Sequence, residues 1–383
     1  MIDKSMKNRK SIHIEVLRII ATYLVLFNHT YTQGMWLYAV PGCYKRGQLG
    51  LLWGGGAFSA CLIFSIIVRS NVPIFLMISG SLLLGREEKI SALYKNRVVK
   101  FSIILFLVSL GYFLYDSVNQ GVAFDIKEFM ITLYSSIASP QLWYLYKFIA
   151  ILIVLPLLRK LVKGMERTDY IYYFFCHIVF AGVIPIFQYR ISAGGLYINR
   201  NFATAFLIET ELFYFIMGYF IEHILEKKDF NTKNLCLSIF LMTISIAITY
   251  WITLYEGSVR GEFPIGNTEV GYTSILSMMV LSIYFIIKYL FIKLPMPDGK
   301  ISTFISTVGS CTFGIILLER VIREKTDWIL QTLIDQIPTF VAALIWTFIC
   351  CLIGFMIVWA LKKNTLIKNI FSYIESIKGY KGV

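Results

Sequence analysis

The chain has 383 residues, of which 57% are hydrophobic and only 15% charged, with a formal net charge of +13. A soluble domain carries about 25% charged residues, and a mean hydropathy of +0.69 excludes an ordinary water-soluble core. Apolar runs of roughly twenty residues broken by short charged loops describe a polytopic membrane protein.

Ten spans are expected, at about 12–32, 57–84, 98–118, 142–158, 170–189, 203–225, 234–254, 272–292, 302–322 and 337–361. The fold class is therefore all-α, one membrane domain over 1–383 with short tails at about 1–11 and 362–383. Lys and Arg decide its orientation. Loops on the side of the N-terminus hold Lys7, Arg9, Lys10, Arg86, Lys89, Arg159, Lys163, Lys227, Lys293 and Lys362, whereas the opposite loops hold only a few, such as Lys45, Arg46, Arg200, Arg260, Arg323 and Lys325. The positive-inside rule then places both termini in the cytoplasm. The positive charge belongs to this topology and to anionic lipid rather than to nucleic acid, because it is scattered over short loops. The first apolar segment lacks a small-residue cleavage site and is expected to stay as an anchor.

That first segment contains the most informative pair. Arg18 and His29 are eleven residues apart, close to three helical turns, so they share one stripe of one helix about 16 Å apart. A bilayer tolerates such groups only where they face protein or water. Glu15, one turn before Arg18, either pairs with it structurally or takes part in ligand binding. Asn28 and Thr30 can orient the His29 ring only if the helix ends there.

In the second span, Pro73 should kink or break the helix, and Ser79 with Gly80 should let another helix approach closely. Arg69 lies just before that kink, either snorkelling to the interface or holding a ligand anion. Tyr94-Lys-Asn-Arg-Val-Val-Lys100 opens the third span. Arg97 and Lys100, three apart, suit a phosphorylated ligand, although positive-inside bias also places them there.

The longer loops, roughly 33–56, 116–141, 190–202 and 255–271, are expected outside and could roof a cavity. Within them Asp125–Tyr134 alternates at helical spacing, as a surface-lying amphipathic helix does. Trp143 and Tyr144 read as interfacial belt residues, with Lys147 one turn further in. His177, Glu209 and Glu211 are further titratable groups inside spans, and Glu319-Arg320 is expected at the outer boundary of the ninth. The seven cysteines show no metal spacing and read as packing residues.

In chain order, Glu15-Val-Leu-Arg18 with His29, Val72-Pro-Ile-Phe-Leu-Met-Ile-Ser-Gly-Ser-Leu-Leu83, Arg97 with Lys100, Leu142-Trp-Tyr-Leu145 on to Leu155-Pro156, Phe215-Ile-Met-Gly-Tyr219 and Thr312-Phe-Gly-Ile-Ile-Leu-Leu318 resemble the acyltransferase family 3 of integral membrane O-acyltransferases. The resemblance covers nearly the whole chain. It implies transfer of an acyl group, often acetyl, from cytoplasmic acyl-coenzyme A to a hydroxyl of an extracytoplasmic or lipid-linked glycan, in a bacterial plasma membrane.

Residue by residue, Arg18 and His29 match the family's essential Arg and His, and Arg97 with Lys100 matches a basic pair whose second member is usually Arg. Gln141 stands where His often precedes Leu-Trp, and Glu319 stands where many members carry His. His29 is the expected base, or the group that carries the acyl covalently. Arg18, Arg97 and Lys100, with Glu15 beside them, are the expected donor-binding group, and Arg18 has oxyanion stabilisation as a second possible role. Arg69, Ser79, Trp143 and Glu319 are further candidates. Acyl-coenzyme A is expected as a co-substrate, with no bound metal or cofactor. The rival reading is a non-enzymatic transporter or flippase of an envelope precursor.

Overall fold

A computed structural model describes residues 4–30, 59–191, 210–260, 275–294 and 299–363. The expected loops 33–56, 190–202 and 255–271 lie wholly or largely outside the described residues, as do Lys45, Arg46, Arg200 and Glu209. Among the described residues the chain is almost entirely helical, with short connections and no strand. The helices are α1 (Lys4–Asn28), α2 (Ser59–Leu83), α3 (Ile90–Gln120), α4 (Ile126–Ser135), α5 (Trp143–Gly164), α6 (Arg167–Phe187), α7 (Thr210–Tyr219), α8 (Thr232–Arg260), α9 (Leu276–Lys293), α10 (Gly299–Gln336) and α11 (Thr339–Lys363). Seven stretches, in α2, α3, α6, α8, α9, α10 and α11, are long and apolar enough to cross a bilayer. The three remaining apolar segments form α1, α5 and α7. The amphipathic stretch forms α4, with the Asp125 carboxylate capping the Lys127 amide at 2.8 Å.

α1 sits among α2, α9, α10 and α11. It contributes Ile14, Leu17 and Ala21 to one buried cluster and Leu24 to Phe27 to another, so its polar residues are set deep inside protein. α3 turns Val99, Ile103, Phe106, Leu107, Leu114 and Val118 outward, a helical stripe suited to lipid. Long apolar helices with such faces make this a multi-pass membrane protein.

α2 is interrupted at Arg69–Ser70, because Pro73 has no N–H for the Arg69 carbonyl and its ring crowds that carbonyl. Beyond the break α2 lies directly on α7. A Cβ added at Gly80 would stand 1.7 Å from the Phe215 carbonyl oxygen, and one at Gly218 2.0 Å from that of Met77. The two glycines thus bring the helices backbone to backbone.

One expected boundary moves. The hydropathy of the ninth span predicts an end at 322, with Arg323 and Lys325 beyond it, yet α10 continues to Gln336 and stops only before Pro338. Glu319 is therefore inside a helix and fully buried rather than at its boundary.

Candidate functional site

A cavity of about 570 Å³ opens between α1, α2, α5, α7 and α10. Arg18 and His29 both line it, as do Arg69, Ser79, Gln141, Trp143 and Glu211. The shared stripe of α1 is the reason: its apolar neighbours face α2 and α10 while these two side chains face the space between.

α1 ends as α-helix at Asn28, followed by one 3-10 turn. Thr30 does not orient the imidazole; its hydroxyl donates to the Phe27 carbonyl at 2.7 Å. Glu319 on α10 does so instead, with Oε1 3.0 Å from His29 Nδ1. The Glu319 side chain is 0% exposed and that of His29 17%, so the carboxylate is sealed behind a ring that reaches the cavity. With Nδ1 directed at Glu319, Nε2 lies on the opposite edge of the ring. Arg323 completes the group, its Nε donating to Glu319 Oε2 at 2.7 Å.

Arg18 donates from Nη1 to Glu15 Oε1 at 2.7 Å. Glu15 lies against Gly309 of α10, where a Cβ would come within 2.2 Å of Oε2. The residue that keeps Arg18 in place therefore needs a glycine opposite, and Glu15 itself is not among the cavity-lining residues.

Arg97 and Lys100 are buried on α3 and are likewise absent from that lining. Arg97 shares Glu88 with Arg159: Arg97 Nε lies 3.3 Å from Glu88 Oε2 and Arg159 Nη2 2.8 Å from it, while Arg159 Nε donates to the Leu83 carbonyl at 3.0 Å. Burial opposes ionisation of Glu88, but the two guanidiniums overcome it and hold its carboxyl below the ordinary carboxylate range.

Lys147 donates to Glu211 at the cavity edge. His177 stacks on Phe213 with ring centroids 3.7 Å apart and is not among the lining residues. Gln141 Oε1 accepts from Ser139 at 2.7 Å.

A second buried polar cluster lies toward the start of α1. Glu222, just past α7, meets His13 of α1 at 2.8 Å and Lys288 of α9 at 3.2 Å, and Lys288 also donates to the Ile221 carbonyl at 2.7 Å. Sequence reasoning singled out neither this triad nor Arg323. The signal available for Arg323 was its i, i+4 spacing from Glu319 inside an apolar helix; for the triad, formed by three distant helices, the sequence holds none.

An imidazole braced by a buried carboxylate in the wall of a membrane cavity suits proton removal during acyl transfer, and the residue order along the chain agrees with a known family. The chain belongs to acyltransferase family 3. The family model, described as an acyltransferase domain, matches residues 12–364. No curated protein and no solved structure matches the chain. In this membrane acyltransferase the candidate base, His29, has a buried carboxylate, that of Glu319, 3.0 Å from its Nδ1.

Proposed function

We propose that the protein moves an acyl group, acetyl in the simplest case, from cytoplasmic acyl-coenzyme A to a hydroxyl of an extracytoplasmic or lipid-linked glycan. The observation that carries this reading is the His29–Glu319 contact in the wall of the cavity that Arg18 also lines. A sugar hydroxyl is a poor nucleophile, and neutral imidazole is suited to take its proton. His29 accepts that proton as the hydroxyl oxygen attacks the thioester carbon. The C–S bond then breaks, and the proton passes to the departing thiolate, so the products are the ester and free coenzyme A. Glu319 holds the ring and offsets the charge it gains.

Arg18 supplies the cationic group at the other end of the stripe, for coenzyme A phosphates or for the developing oxyanion. Acyl-coenzyme A enters as a co-substrate and no resident cofactor is invoked. The apolar runs support ten spans and the Lys and Arg distribution supports cytoplasmic termini, an orientation in which Arg18 lies toward the donor and His29 toward the acceptor; the family resemblance supports a bacterial plasma membrane.

The test is transfer of label from acetyl-coenzyme A to a candidate glycan in membranes holding the full chain. We expect product with the wild type and a loss of about 10²–10⁴-fold with His29→Ala, the range for a general base. Normal transfer in a folded His29→Ala protein would remove His29 from the mechanism. Movement of a precursor without labelled ester would instead indicate a carrier.

A further inference from the structure

Arg323 makes more contacts than an ion pair with Glu319 requires. Its Nε donates to Glu319 Oε2 at 2.7 Å and its Nη2 lies 3.4 Å from Oε1, while Nη1 donates to the backbone carbonyl of His29 at 3.1 Å. The residue is 5% exposed. The contacts close a loop: the His29 ring meets Glu319, Glu319 meets Arg323, and Arg323 returns to the backbone of His29.

The place of that last contact matters. α1 ends at Asn28, so the His29 carbonyl is among the acceptors a helix leaves without an internal partner. A guanidinium there satisfies it and complements the negative end of the helix. The neighbouring Arg320 is turned elsewhere, to Asp116 at 2.6 Å and Glu324 at 2.8 Å. Behind the clamp stands α11, where the Trp346 indole donates to the Thr326 carbonyl at 3.0 Å.

We propose that Arg323 is a positioning residue for His29, fixing its backbone directly and its ring through Glu319, and so setting the direction in which the imidazole meets the cavity. The assignment rests on the reading of His29 as the base. Glu319 and Arg323 form a buried ion pair behind the ring. A planar fork holds donors to two acceptors in fixed relative directions, which an ammonium on a flexible stem does not. Neither ligand nor lipid is needed for the role, which is played across the α1–α10 contact.

Full-length protein in lipid nanodiscs, with labelled acetyl-coenzyme A at limiting and saturating concentrations, tests the proposal. Arg323→Met is expected to lower kcat about 10- to 100-fold, the equivalent of one or two charge-assisted hydrogen bonds, with the donor KM within about twofold. Arg323→Lys should recover part of that loss, since it restores the charge but not the fixed fork. Arg323→Met leaves a buried carboxylate uncompensated and can unfold the protein. The double variant Arg323→Met with Glu319→Gln removes both charges and supplies a folded comparison. Its kcat should be no lower than that of the worse single variant, because coupled residues do not add.

A wild-type kcat in either folded variant, a loss confined to KM, or losses that multiply in the double variant would each overturn the assignment. A wild type that transfers no label removes the acyltransfer reading together with this one. An active wild type with unaffected Arg323 variants removes this one alone.

Discussion

His29 and Glu319 illustrate how much a single contact changes the meaning of a residue. An isolated histidine in an apolar helix is most simply a packing residue, whereas one whose Nδ1 meets a carboxylate with no solvent exposure has a fixed ring and a defined outward edge. Glu319→Gln keeps the shape and removes the charge. Its kcat is expected to fall about 10- to 100-fold, since hydrogen bonds to charged groups are worth about 1.5–3 kcal/mol. Initial rates at saturating donor would read this. Arg18 and His29 were legible as a pair because eleven residues close three turns whatever surrounds the helix. The role of Glu319 was not, because its partner lies 290 positions away (319 − 29) and only packing brings α1 to α10.

The helices are held by two devices of opposite kind, close backbone contact and buried charge. Gly80→Ala and Gly218→Ala each place a methyl on the opposing backbone, and overpacking of this sort costs about 1–3 kcal/mol or more. Thermal unfolding in nanodiscs should show a lower midpoint for both, with Gly111→Ala, which meets nothing within 4 Å, unchanged or raised. The turn between α2 and α3 carries a pH dependence. The Glu88 carboxyl is held below the ordinary glutamate value by Arg159 and Arg97 against the opposing effect of burial. The contribution to stability is therefore complete above that value and is lost as pH falls through the lower, folded-state value. Glu88→Gln should flatten the acid limb of a stability profile below about pH 4.5. An acid limb identical to the wild type would show that Glu88 is not the group responsible. Pro73, Ser79 and Gly80 had announced a break and a close approach in the sequence; that the partner is α7 and answers with Gly218 had to be seen.

At the scale of the molecule, the Glu222 triad ties α1, α7 and α9 together at the end of the bundle nearer Arg18. Glu222→Gln leaves Lys288 buried against a neutral partner, and breaking a buried pair in this way costs about 3–5 kcal/mol. The variant should unfold at a distinctly lower temperature than the wild type, and an unchanged midpoint would show that the triad is not holding the helices. Orientation is tested separately: reporters fused at either end should both read out as cytoplasmic; an external signal from the N-terminus would reverse the assignment of donor and acceptor ends, and one from the C-terminus alone would overturn the even number of spans.

The sequence by itself determined that the chain is helical and membrane-embedded, because the length and hydropathy of each apolar run are local properties that water and lipid read without reference to the rest of the fold. It also determined which helix carries the costly residues and, through the order of its motifs, the family. Tertiary structure decided what those residues touch. Glu319 meets the His29 ring while Thr30 turns back to Phe27, Glu88 meets Arg97, and Arg323 lies in a helix rather than a loop. Each of these depends on electrostatic pairing across separate helices in a medium that leaves no charge unmatched, and sequence separation carries no record of such distances.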